Sequence, residues 1–100
     1  MKDEELIRKL NSVGKQAFVE HFDLFQNYAY GRLSRDQARE ELICLGVSND
    51  SGAAIRVGNA KLIFEANREM DALLLILDSK RIPTSVLAMA RKLMQRLKSQ

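Results

Sequence analysis

Residues Leu45 to Ala60 read LGVSNDSGAAIRVGNA, a helix end and a helix start set almost back to back. Gly46 supplies the left-handed residue that closes a helix, and Val47 after it is placed to fold back as the apolar contact of a glycine cap. Ser48, Asn49, Asp50 and Ser51 are all good N-caps, so the next helix is expected to begin near Gly52. Beyond that point Ala53, Val57, Ala60 and Phe64 recur at helical spacing and mark a buried stripe. Ala53, Ala54, Gly58 and Ala60 are small, which predicts a close helix–helix crossing, because short side chains let two backbones approach.

The same period extends to both sides. Upstream, Ser34 and Gln37 fit a capping box, Asp36 places negative charge in the first turn, and Ala38, Leu42 and Leu45 form the inward face of the helix ended by Gly46. Further back, Leu6, Leu10, Val13 and Ala17 make one apolar stripe, and Phe18, Phe22, Phe25 and Ala29 continue it. Asn11, Ser12 and Gly14 are expected to divide this region into a short first helix and a long second one, with Ser12 as cap and Gly31 as terminator. Downstream, a kink or break is expected at Asn67, one long helix through it being the alternative. Met70, Leu73, Leu74 and Leu77 then face one way and Leu75 and Ile76 others, so this helix is either central or part of an interface. Pro83 prevents continuation, Thr84 or Ser85 is the expected cap, and Val86, Ala90, Leu93 and Leu97 line the last apolar face. Alternation of strand type is nearly absent. The expectation is an all-α fold, a compact bundle of five or six helices forming a single helical domain over residues 1–100.

Composition narrows the class. With 46% hydrophobic and 29% charged residues the chain is ordinary for a soluble globular protein. The longest apolar run, Ala72 to Leu77, falls far short of the roughly 20 residues that span a bilayer. The opening MKDEELIRKL carries acids where a secretory signal carries bases, so no signal peptide is expected. Cys44 is the single cysteine, which precludes an internal disulfide and suits a reducing cytoplasm. Charge is uneven along the chain. Residues 1–79 hold ten Lys/Arg against thirteen Asp/Glu, whereas residues 80–100 hold six bases and no acid. Such a basic end attracts phosphate or acidic protein, although cations near a helix C-terminus also simply complement its dipole.

Catalytic chemistry finds little to work with. Metal binding needs several converging ligands, and one histidine with one cysteine leaves only carboxylates, with no calcium-type loop among them. His21, beside Phe18, Phe22 and Phe25, reads as a partly buried structural histidine, and Cys44 as a small apolar residue. Gly46, Gly52 and Gly58 recur every six residues, yet Gly58 is followed by Asn59 and Ala60 where a phosphate loop requires Lys and Ser or Thr. Glu40 and Glu41 point different ways on a helix and are no acid–base pair. The expectation is a protein that is not an enzyme and uses no cofactor.

Binding remains, in two forms. One is a protein-binding module. The span LSRDQAREELICLGVSNDSGAAIRVGNAKLIFEANRE, Leu33 to Glu69, resembles small helical proteins borne by mobile elements, and the chain is similar in length and character to phage-encoded anti-CRISPR proteins directed against type I CRISPR-Cas complexes. The resemblance covers about a third of the chain and transfers no functional residues. It implies a protein of the bacterial host's cytoplasm that binds Cas subunits of the surveillance complex stoichiometrically and blocks capture of target DNA. Surfaces that bind nucleic acid are rich in Lys and Arg, and Asp36, Glu40, Glu41, Asp50, Glu65, Glu69 and Asp71 are carboxylates able to meet them. Tyr30, Arg32, Arg35, Asp36 and Arg39, around a loop and a helix start, are the candidate partner-binding residues, because Tyr and Arg dominate interface energetics.

The alternative is a helix-turn-helix-like DNA-binding regulator, in which Arg56, Asn59 and Lys61 reach base edges and phosphates and Arg91 and Lys92 add basic contacts. The Asn49–Gly52 segment lengthens the turn and puts an acid where a recognition helix begins its contacts. A homodimer resting on exposed Leu75 and Ile76 is a third possibility.

Overall fold

A computed structural model describes residues 1–99, and among these the chain is helical throughout, without strands. In order the helices are α1 (Asp3–Val13), α2 (Lys15–Glu20), α3 (Phe22–Ala29), α4 (Arg35–Cys44), α5 (Asp50–Glu65), α6 (Glu69–Leu77) and α7 (Thr84–Lys98). The all-α expectation holds, but the count among the described residues is seven rather than five or six.

The extra elements come from the N-terminal stripe, which breaks twice. Gly14, at φ +94°, ends α1 and donates its N–H to the Leu10 carbonyl. Ser12 therefore lies inside α1, its Oγ donating to the Arg8 carbonyl at 3.1 Å, and caps nothing. The second break, at His21 (φ −117°, ψ 27°), needs no glycine. Its N–H still donates to the Ala17 carbonyl at 2.9 Å and its carbonyl still accepts from Phe25 at 3.1 Å, so the chain bends with its hydrogen-bond ladder nearly intact. The bend brings Phe18 on α2 and Phe22 on α3 onto Phe64 from two directions, with ring centroids 5.8 and 5.1 Å away. Phe25 stacks on Phe18 at 6.3 Å and completes an aromatic nucleus that is fully buried. Burial on this scale, about 1.5–3 kcal/mol for each large apolar side chain, is what holds short helices that would not persist alone.

Local signals fix the remaining ends. Ser34 and Gln37 form a reciprocal capping box, with Ser34 Oγ accepting from the Gln37 N–H and Gln37 Oε1 accepting from the Ser34 N–H. Gly46, at φ +75°, closes α4, and the Val47 N–H returns to the Leu42 carbonyl at 3.0 Å while Val47 packs on the core. Asn49 is the cap of α5, accepting from the Gly52 N–H at 2.8 Å, so that helix starts slightly before the expected point. Asn67 does end α5. It adopts φ 57°, and the Arg68 N–H reaches back to the Ile63 carbonyl in the same closing geometry as at Gly46. At α7 the N-cap position belongs to Pro83 rather than to Thr84 or Ser85.

The central element is α5, which packs against α1, α3 and α4, while α7 packs against α6 and α2. Ala53, Val57, Ala60, Ile63 and Phe64 are all buried. Two expectations are corrected here. A side chain at Gly58 would meet nothing within 4 Å, so Gly58 is not at a helix crossing, and buried Ala53 and Ala60 carry the close approach. In α6 the inward residues are Ala72, Leu73 and Ile76, and it is Leu74 that faces outward. A dimer surface built on exposed Ile76 is thereby removed. In α7 Val86, Ala90 and Met94 are buried, with Leu93 and Leu97 half-buried beside them. Among the described residues no helix is long and apolar enough to cross a membrane.

Candidate protein-docking face on α4 and α5

The loop after α3 and the packed pair α4 and α5 gather most of the candidate partner-binding residues. Tyr30, at the C-cap of α3, is exposed, and its ring meets Phe64 in an edge-to-face arrangement with centroids 6.2 Å apart. Arg32 lies over Tyr30, with Cζ 5.7 Å from the ring centre, and Nη1 donates to Asn27 Oδ1 at 3.2 Å. Arg35 and Asp36 open α4 and are both exposed. Arg39 bridges the two helices, 3.3 Å from Asp36 Oδ1 and 3.1 Å from Asp50 Oδ1. The approach of Nε to Asp50 is close but off the hydrogen-bond direction, so it acts as a charge contact. Such surface pairs contribute about 0–1 kcal/mol each and set geometry more than stability.

Alongside them runs the free side of α5. Because the buried stripe occupies positions 53, 57, 60, 63 and 64, Ile55, Gly58 and Leu62 fall on the outer face. Ile55 is 56% exposed and Leu62 44%, a large apolar pair flanking a residue without a side chain. Arg35, Asn59, Lys61 and Glu65 surround this strip in a shallow groove. Lys61 is held over the Tyr28 ring at 5.0 Å. Asn59 turns its amide to its own helix, Nδ2 donating to the Ile55 carbonyl at 2.9 Å. A glycine in mid-helix costs about 0.5–1 kcal/mol relative to alanine, and nothing inside the fold requires one here.

Other residues lie elsewhere. Arg56 is half-buried and turns to the end of α1, its Nη1 donating to the carbonyl of Val13, so it lines a hollow there rather than the groove of Asn59 and Lys61. Arg91 and Lys92 are exposed, but on α7, which has no substantial packing with α5. The nucleic-acid set is thus split three ways. The turn from Leu45 to Asn49 and the burial of α5 against three helices leave it only one free face, and that face is apolar at its centre, with Glu65 near one end.

Ile55, Gly58 and Leu62 were not singled out as surface residues in the sequence, although their displacement from the buried stripe is the signal that marks them. Cys44, read there as a small apolar filler, is exposed beside exposed Ile43, and Leu45, expected on the inward face with Ala38 and Leu42, faces outward instead, because α4 ends before it and it occupies the C-cap position. His21 is half-buried. Among the described residues no group of three or more His, Cys, Asp or Glu is placed to hold a metal ion. The chain matches no protein-family model, no curated protein and no solved structure.

Proposed function

We propose that this is a non-catalytic binding protein that docks on a partner protein through the α4–α5 face. In this role it acts as a small phage or mobile-element inhibitor of a host nucleic-acid-targeting complex of the type I CRISPR-Cas kind. The observation that carries the docking role is the exposed strip of Ile55, Gly58 and Leu62 inside a rim of Arg35, Asn59, Lys61 and Glu65. An apolar centre with a polar rim is the usual anatomy of a protein interface. A DNA-reading helix would instead aim several cations and amides of one face at base edges, whereas here Arg56 is turned to the Val13 carbonyl and Asn59 to the Ile55 carbonyl. Tyr30, Arg32 and Arg35 extend the rim with the residue types that anchor interfaces. The type I target rests on the resemblance of residues 33–69, and the bacterial cytoplasm follows from it.

The test is a target-DNA capture assay with a purified type I surveillance complex, read by mobility shift. The wild-type protein is expected to block capture at roughly one copy per complex. A variant combining Ile55→Glu with Leu62→Glu is expected to lose the block with unchanged helicity and melting. Binding to naked duplex that falls steeply with salt and is lost on Arg91→Ala plus Lys92→Ala would instead make the protein a DNA-binding regulator.

A further inference from the structure

A second surface lies between α1 and α6. Asp3 and Ile7 line one wall and Asp71, Leu74, Leu75 and Asp78 the other, enclosing an open groove of about 630 Å³. A smaller hollow shares Ile7, Leu75 and Asp78 with it and continues toward Lys15 and Ser79, so the two form one trough along the helices. Its floor is apolar and its exposure is not explained by packing. Ile7 is 43% exposed, and Leu74 is 49% exposed in a helix whose neighbours Leu73 and Ile76 are fully buried.

The rim carries three carboxylates, Asp3, Asp71 and Asp78, against two cations, Arg68 and, at the far end, Lys15. Arg68 donates to Asp3 Oδ1 and to Asp71 Oδ2, both at 2.6 Å, and also to the Met1 carbonyl. Those hydrogen bonds, to Asp3 first and then Asp71, hold its pKa above the ordinary arginine value, so its charge is permanent. Asp78 is exposed and makes no ion pair among the described residues. At the far end the Lys15 ammonium is turned to Ser79 Oγ at 2.9 Å. Three carboxylates against Arg68 and Lys15 leave the trough a net charge of −1, with Asp78 unpaired and Arg68 using only one oxygen each of Asp3 and Asp71.

We infer that the α1–α6 trough is a docking site for a cationic amphipathic helix of a partner protein, with its Leu or Ile side chains on Ile7, Leu74 and Leu75 and its Lys or Arg side chains on Asp3, Asp71 and Asp78. The dimensions agree. Asp71 to Asp78 spans two turns, about 10 Å at 1.5 Å per residue, which is the length covered by the i, i+3, i+4 and i+7 anchors of a helix laid in a groove. The carboxylates on the rim oppose anionic lipid and nucleic acid, both of which would meet like charge. This surface shares no helix with the α4–α5 face, and the inference stands apart from the function proposed for that face.

The probe is a fluorescently labelled, lactam-bridged helical peptide with Leu at i, i+3, i+4 and i+7 and Lys on both flanks, titrated with the whole protein and read by anisotropy. Saturable binding is expected, and a peptide with Glu replacing Lys should bind about ten-fold more weakly or worse, attraction having become repulsion. Leu74→Glu, at an outward-facing position, should abolish binding, and Asp78→Lys should weaken the Lys peptide while strengthening the Glu peptide. Ile55→Glu should leave the titration unchanged, which separates this surface from the α4–α5 face. Equal affinity for the two peptides, or wild-type binding by Leu74→Glu, would overturn the inference. So would a concentration-dependent dimer in light scattering that Leu74→Glu dissociates, since the trough would then be filled by a second copy.

Discussion

The guanidinium of Arg56 donates to the main-chain carbonyl of Val13, 43 residues earlier in the chain. This bond ties the middle of the central helix to the end of α1, where unpaired carbonyls make a cation favourable. It also touches the next residue. Gly14 has φ +94°, which strains any side chain there, and a Cβ would lie 2.8 Å from Arg56 Nη1, the flexible end of that side chain, which would have to shift. Loss of function in an Arg56 variant would therefore carry a stability component, whatever the surface does.

Arg56→Ala should destabilise the fold by about 1.5–3 kcal/mol, the range for a hydrogen bond to a charged group. Gly14→Ala should cost a similar amount, partly through backbone conformation and partly through the contact with Arg56. Because the two residues touch, the double variant should be more stable than the sum of the single changes implies, with a coupling of about 0.5–3 kcal/mol. Urea unfolding of the four proteins measures this. Strict additivity would show that the guanidinium moves aside at no cost.

Asn67 is the one residue other than glycine with a left-handed backbone among those described. Asn67→Gly should be neutral or slightly stabilising. Asn67→Ala should cost about 1 kcal/mol, since a left-handed Cβ conformation is disfavoured by roughly 1–2 kcal/mol and asparagine tolerates it better. For a chain of this size that corresponds to a fall in Tm of about 4–8 °C. A thermal melt of Asn67→Ala that matches wild type would mean that α5 and α6 can close in another geometry.

Phe64 meets Phe18, Phe22 and Tyr30 at centroid distances between 5.1 and 6.2 Å and is buried. Phe64→Ala should cost about 3–5 kcal/mol, a large share of the 5–15 kcal/mol available to a small domain. Near-ultraviolet circular dichroism and urea titration should show a marginal or unfolded state. Phe64→Leu, which keeps much of the volume, should remain folded at a smaller cost.

What could be read from the sequence depended on range. The Ser34–Gln37 box, the Gly46 cap, the break at Asn67 and the Ala53–Phe64 stripe are carried by residues within a turn or two of one another, and each lies where the pattern puts it. The bend at His21 has no such marker, because it arises from packing Phe18 and Phe22 around Phe64, far away in sequence. In Ala72–Leu77 every candidate face is apolar, so periodicity cannot set the helix phase. That phase follows from the turn at Asn67, and it buries Ile76 and exposes Leu74. At the candidate site, Tyr30, Arg32 and Arg35 were recognisable by type, whereas the turn of Arg56 toward α1 depends on Val13, 43 residues away.

Gly58 allows stability and binding to be separated. Its Cβ direction is open, and it sits in the middle of the longest helix among those described. Gly58→Ala should therefore raise stability by about 0.5–1 kcal/mol through helix propensity and reduced freedom of the unfolded chain. Gly58→Leu should also fold, since a Cβ at this position meets nothing within 4 Å and the side chain extends from there toward the shallow groove. If a partner backbone approaches between Ile55 and Leu62, the two variants should lose partner binding in order of size, alanine modestly and leucine severely, while their melting temperatures stay at or above wild type. A merely solvated face would give the same gain in stability with no effect on binding. Parallel measurement of Tm and of inhibition of DNA capture for Gly58→Ala and Gly58→Leu distinguishes these outcomes, because a defect caused by misfolding would move both quantities down together.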